Sequence, residues 1–205
     1  MDEFFSYGET EIEYLKTKDK KMAQCIEKYG IIKRNVDSDL FSAVIYQIIG
    51  QQISNKALST IWNKTKSALK NITALSIKSA TIDELRSFGI STRKIEYIKA
   101  FSDKVLSGEF DLSSVNNLSD EEVISTLSSL KGIGVWTAEM LLIFCLKRPN
   151  VFSFGDLAIK RGLCILYGHK QIDKNLFEKY RRRFSPYCSI ASFYLWAVSS
   201  DLCIK

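Results

Sequence analysis

The stretch LSSLKGIGVWTAEMLLIFCL, residues 127–146, sets two glycines, Gly132 and Gly134, between two apolar runs with helical spacing. A G-x-G interrupts what would otherwise continue as one helix, because glycine weakens helices and tolerates left-handed backbone. The string therefore reads as helix, tight turn, helix. Two roles are open to such a turn. The N–H groups of Gly134, Val135 and Trp136 can face outward at the positive end of the second helix, where they make a seat for phosphate. Alternatively, Gly132 is a C-cap that ends the first helix and Gly134 lets the two helices pack closely.

The same architecture recurs upstream in TIDELRSFGISTRKIEYIKAFSDKVL, residues 81–106. Both hairpins open on a capping box, since Thr81 precedes Glu84 by three positions and Ser119 precedes Glu122 by three. The only prolines are Pro149 and Pro186, and no segment alternates with the period of a strand, so the fold class is all-α. The apolar spacing predicts helices over 9–29, 38–54, 55–70, 81–88, 92–107, 120–130, 135–146, 156–167, 173–183 and 187–202. No linker or low-complexity tract interrupts them, so the chain reads as one unit over 1–205 with residues 1–37 as a helical extension.

With 46% hydrophobic and 12% aromatic residues the chain can bury an ordinary core. No apolar run approaches the ~18 residues of a membrane span, and the start, MDEFFSYGETEIEYLKTKDKK, is charged, so membrane insertion and export are not expected and a cytoplasmic location is. Cys25, Cys145, Cys164, Cys188 and Cys203 are odd in number and widely spaced, and His169 is the only histidine. That pattern fits reduced thiols and gives no metal site of the usual nitrogen and sulfur type. Lys and Arg outnumber Asp and Glu by 29 to 23, a net charge of +6, which suits a polyanionic partner without identifying it.

Downstream of the glycine turn comes VFSFGDLAIKRGL, residues 151–163, whose lone acid is Asp156. On its own Asp156 is most simply the N-cap of the helix that follows. Taken together, LKGIGVWTAEMLLIF (130–144) and VFSFGDLAIKRGL resemble the hairpin and aspartate-bearing loop of the helix-hairpin-helix DNA glycosylases. The resemblance extends back through IIGQQISNKAL (48–58) and SFGISTRKIEYIKAF (87–101) and forward to PYCSIASFYLWAV (186–198), covering roughly residues 38–200. Within the superfamily, GIGVWTA is similar to the bacterial 3-methyladenine DNA glycosylase II group.

The resemblance implies two helical lobes flanking a cleft, and an enzyme that acts as a monomer on double-stranded DNA containing damaged bases. Asp156 becomes the catalytic carboxylate, stabilising positive charge at C1′ as the base departs. Trp136, Met140 and Trp196 fall on the positions that line the base pocket; as bare sequence, each tryptophan reads equally as core packing. Met140 stands where a tyrosine is usual, which removes a π face. Gln52 takes the position that plugs the duplex when a base is flipped out. Lys131, Gly132, Gly134, Val135, Lys160 and Arg161 are implied to grip the DNA backbone, and the run Arg181 to Arg183 is either a further grip or a solvated helix face.

Strand-nicking members carry a lysine two positions after the second hairpin glycine, where this chain has Trp136, so a monofunctional glycosylase is expected. No cofactor is implied beyond a monovalent cation on the hairpin carbonyls, and the four-cysteine cluster of some members is missing. The competing readings are a glycosylase for other damaged or deaminated bases and a catalytically silent DNA-binding module.

Overall fold

A computed structural model describes residues 3–201 of the chain. Twelve helices occupy the described residues, with a single two-residue antiparallel ladder between β1 (Glu3–Phe4) and β2 (Asn35–Val36). The chain divides into two compact units, Met1–Val36 with Leu142–Lys205, and Asp37–Leu141. None of the helices is long and apolar enough to cross a membrane.

The discontinuous unit holds α1 (Glu9–Lys18), α2 (Lys20–Tyr29), α10 (Leu157–Tyr167), α11 (Lys174–Phe184) and α12 (Cys188–Asp201). Helix α12 is apolar on every side and buries Cys188 through Leu195 without a break, as a helix enclosed by others must. It crosses α10 at Gly162, where a built Cβ would lie 2.3 Å from the carbonyl oxygen of Leu195. Only glycine fits against that backbone. Helix α2 packs on α10 and α12, and α1 on α11, so the N-terminal extension is part of this unit's core.

The predicted single helix over 9–29 is two helices. Asp19 is extended, and its side chain accepts the N–H of Met22, which ends α1 and caps α2. Asp19 is only 7% exposed and is held by Arg183 at 2.5 Å. Arg183 in turn lies over the Tyr180 ring, whose hydroxyl pairs with His169 Nε2 at 2.7 Å. A carboxylate buried this deeply requires such a partner. Arg183 is thus structural, Arg181 pairs with Glu178, and Arg182 remains exposed.

The continuous unit holds α3 (Leu40–Gly50), α4 (Asn55–Leu69), α5 (Ala74–Ser79), α6 (Ile82–Ser87), α7 (Thr92–Leu106), a 3₁₀ turn at Ser114–Asn117, α8 (Asp120–Ser128) and most of α9 (Val135–Phe144). Both expected capping boxes form, Thr81 with Glu84 and Ser119 with Glu122. Helix α5, absent from the expected set, opens on a reciprocal Thr73–Ser76 cap. Helix α7 packs on α3, α5 and α6, and its Phe101 stacks on Phe41 at 5.1 Å and meets Phe110 edge-on. Two lysines of α7 close the ends of other helices: Lys99 donates to Ile77, Lys78 and Ala80 carbonyls at the end of α5, and Lys94 does the same for α3.

Cys25, Cys145, Cys164 and Cys188 are free thiols, and Cys203 lies outside the described residues. Burial pushes the Cys25 thiol up to about 11 and that of Cys188 up to about 12. Because the thiolate is the nucleophile, both should resist iodoacetamide at pH 8 in the native protein and react only on unfolding, which peptide mass spectrometry can follow. Gly162→Ala tests the helix crossing. By propensity alone alanine would stabilise α10 by about 1 kcal/mol, whereas forcing a methyl onto the Leu195 carbonyl should cost about 2 kcal/mol or more in denaturant unfolding.

Candidate active site

The glycine turn is built from within the continuous unit. Helix α8 ends at Ser128, the N–H of Ile133 returns to the Leu130 carbonyl at 3.1 Å, and the Gly134 carbonyl accepts the first bond of α9 from Ala138 at 3.0 Å. Gly132 has φ +87°, and a Cβ there would sit 2.4 Å from the Tyr97 ring. The turn therefore lies flat on an aromatic side chain of α7 and has no room for one of its own. Ile133 is buried beneath it, while Lys131, Gly134, Val135 and Trp136 are exposed, Trp136 to 44%. The first N–H groups of α9 have no acceptor within the helix and lie at its positive end. Gly132 shapes the turn, but the C-cap of α8 is Ser129 and a side chain at Gly134 would meet open space, so the capping and close-packing roles are not the ones these glycines fill; the exposed start of α9 is the candidate phosphate seat.

The GQQIS loop is tied to this turn. Gln51 Nε2 donates to the Gly132 carbonyl at 2.5 Å. Lys94 Nζ donates to the carbonyls of Ile49 (2.7 Å) and Gln51 (2.8 Å), and burial, with Arg93 next to it, lowers the lysine's pKa. Gln52 follows with φ +56° and is exposed. That left-handed slot after a helix usually goes to glycine, and a larger residue in it costs about 1–2 kcal/mol. Gln52 is held out to solvent by a backbone that its neighbours fix from two sides. Met140, by contrast, is 4% exposed.

In the discontinuous unit Asp156 is 6% exposed and caps α10, its Oδ1 accepting the N–H groups of Ala158 at 2.8 Å and Ile159 at 2.9 Å. Cap and candidate nucleophile-orienting carboxylate are one group. Phe154 and Leu157 flank it as exposed apolar residues, Leu157 to 70%, and Lys160 places its ammonium 4.8 Å from the Phe154 ring centroid. Arg161 is exposed on the same helix. Trp196 is half-buried one residue beyond Leu195, whose carbonyl meets Gly162, so the α10–α12 crossing fixes the tryptophan relative to the helix that Asp156 caps. Phe144 stacks on Trp196 at 5.7 Å, with Phe193 at 5.9 Å.

The sequence alone gave no sign of Lys94, Tyr97 or Gln51 as supports, because their partners are remote in the chain. Phe154 packs edge-on against buried Phe177 at 5.2 Å while remaining 38% exposed, and Leu157 is exposed, neither of which the sequence signalled. No group of three His, Cys, Asp or Glu side chains able to hold a metal occurs among the described residues.

Residues 45–186, which contain the hairpin, the braced loop and the capped aspartate, match the profile of the HhH-GPD superfamily base excision DNA repair proteins. The chain belongs to this superfamily. DNA-3-methyladenine glycosylase 1 of Schizosaccharomyces pombe is 31% identical over 185 residues, covering 88% of this chain and 81% of that protein. A DNA-3-methyladenine glycosidase from Bacillus halodurans superposes with a TM-score of 0.85 at 30% identity, over 99% of this chain and 95% of that one. The S. pombe 3-methyladenine DNA glycosylase in complex with abasic DNA gives 0.81 at 30% identity, over 92% and 95%. As an HhH-GPD protein, the chain carries its hairpin at 128–135 and its aspartate loop at 151–156, the two blocks that the sequence singled out.

The hairpin's packing on Tyr97 is open to a stability test. Gly132→Ala should lose about 2 kcal/mol or more, from the ring clash plus left-handed strain. In a Tyr97→Ala background the same substitution should cost only the backbone strain of about 1–2 kcal/mol. Equal losses in the two backgrounds, measured by urea unfolding, would show that the ring does not confine the turn.

Proposed function

We propose that the protein is a monofunctional DNA glycosylase that hydrolyses the N-glycosidic bond of alkylated purines, of the 3-methyladenine type, in duplex DNA. The observation that carries this reading is Asp156: a buried carboxylate oriented by two backbone amides at the positive end of α10, in a loop with exposed apolar flanks. The names of the relatives in the two yeasts and in Bacillus support the substrate class.

Excision breaks the bond from C1′ to the base nitrogen, and the electron pair leaves with the base. C1′ takes on oxocarbenium character that a fixed anion stabilises without reorganising. Water then adds to C1′ and loses a proton, giving free base and an abasic site. An alkylated purine already carries positive charge and leaves readily, so one carboxylate suffices and no acid partner is required. Trp136 occupies the position at which strand-nicking members carry an amine, and an indole cannot form a Schiff base. Gln52, presented by the braced loop, fills the space that the flipped base vacates. The start of α9, with Lys131, and the basic face of α10, with Lys160 and Arg161, supply sequence-independent phosphate contacts.

The reading needs no cofactor. Of the hairpin carbonyls, those of Leu130 and Gly132 already accept N–H donors, so a monovalent cation there would share them and would serve the turn's structure alone.

Asp156→Asn isolates the charge, because asparagine is as good an N-cap as aspartate. Base release from a duplex containing one N-methylated purine should fall by about 100-fold or more, with DNA affinity and thermal stability retained. In the wild type the strand should break only after alkali. A strand break before alkali would overturn the monofunctional part, and salt-dependent DNA binding without any base release would overturn the enzyme.

A further inference from the structure

Between Asp39 and Asp83 the chain carries no acidic residue, and the cations in that interval are Lys56, Lys64, Lys66, Lys70 and Lys78. The first four lie on α4 or at its C-cap, and all four are exposed. None of them has an ion pair among the described residues, and Lys66 has the Trp62 ring, 5.9 Å from its ammonium, as its neighbour. Elsewhere in the continuous unit most cations are engaged. Lys78 pairs with Asp103, Lys104 with Glu109 and Arg86 with Asp83, while Lys94 and Lys99 close helix ends.

Lys56, Ser59, Asn63, Lys66 and Lys70 recur at intervals of three and four, which places them on one face of α4. All five are exposed, and each offers hydrogen-bond donors. From Lys56 to Lys66 the stripe runs about 15 Å, the rise of about four base-pair steps. The helix does not gain from it. Lys56 stands in the first turn, where the macrodipole favours an acid, and Lys66 and Lys70 repel each other at i, i+4. Helices α1, α6 and α8 all begin on acidic residues instead. A face that served solubility alone would mix both signs, whereas this one is complementary only to an anion. Its place beside the GQQIS loop is fixed. Four residues separate Gln52 from Lys56, and α4 folds back on α3, with Tyr46 edge-on to Trp62 at 5.1 Å and a Cβ at Gly50 only 2.9 Å from Leu58.

We propose that this face of α4 is a DNA-backbone interface, which holds the phosphates of the duplex arm on the Gln52 side of the lesion. The proposal rests on the reading of Gln52 as the plug, because a duplex entered there runs beside the start of α4. Lysine, serine and asparagine contacts to phosphate carry no sequence information. That suits a protein that must hold a lesion in any sequence. Each ammonium that meets a phosphate releases condensed counterions, so contact is recorded in the salt dependence of binding.

The test is binding to a duplex that carries a stable abasic-site analogue, followed by fluorescence anisotropy across a range of salt concentrations. Lys56→Ala with Lys66→Ala is compared with wild type and with Lys78→Ala plus Lys104→Ala, which removes the same charge from the same unit at two exposed ion pairs. The stripe variant should bind about tenfold more weakly at about 0.1 M salt and lower the salt slope by about two. The control pair should stay within about threefold of wild type with its slope unchanged. Circular dichroism and thermal melting check folding, and if the alanine pair does not fold, Lys56→Gln with Lys66→Gln is read against the same thresholds. Equal weakening by the stripe and control pairs would show a diffuse field and overturn the interface, as would a stripe variant that binds like wild type. A wild type that binds this duplex but releases no methylated purine would overturn the glycosylase reading alone, since the two variant slopes still decide the interface.

Discussion

The last carbonyls of α3 have no acceptor role within their own helix, and the way they are satisfied organises the continuous unit. Lys94 reaches from α7 to take two of them, at Ile49 and Gln51. An ammonium at a helix C-terminus gains from the helix dipole, which offsets the burial that lowers its pKa. With the Gln51 carbonyl fixed, the Gln51 side chain is aimed at Gly132, and Gly132 lies on Tyr97, three residues beyond Lys94 on the same helix. A closed circuit results, in which α7 sets the GQQIS loop and the hairpin in one frame. The exposed Gln52 and the start of α9 therefore keep a fixed separation, as the proposed plug and phosphate seat would need.

The discontinuous unit solves the corresponding problem by close approach. Gly162 brings the α10 backbone against Leu195, and that contact sets the angle at which Asp156 is presented and the depth of Trp196. A cap is a favourable use of an aspartate in its own right, so the charge that the proposed chemistry calls on is also a source of stability.

Much of this could be read in the sequence. The glycine pair, both capping boxes and the aspartate loop are local patterns, and local patterns survive folding. Helix ends decided by distant partners did not. The break at Asp19 depends on Arg183, which stands 164 residues away in the chain and uses up one member of an arginine run that read equally as a DNA contact. Helix α5 is too short for periodicity to reveal. Met140 is buried at 4% exposure, and burial alone does not separate a pocket lining from core packing. The two-residue ladder at Asn35–Val36 has no sequence signature.

Strain by itself does not mark the site. Gln52, Lys70 and Lys147 share positive φ, and each lies just past the end of a helix, where left-handed backbone is ordinary. What distinguishes Gln52 is the bracing around it, since a strained residue is useful only where its surroundings prevent relaxation.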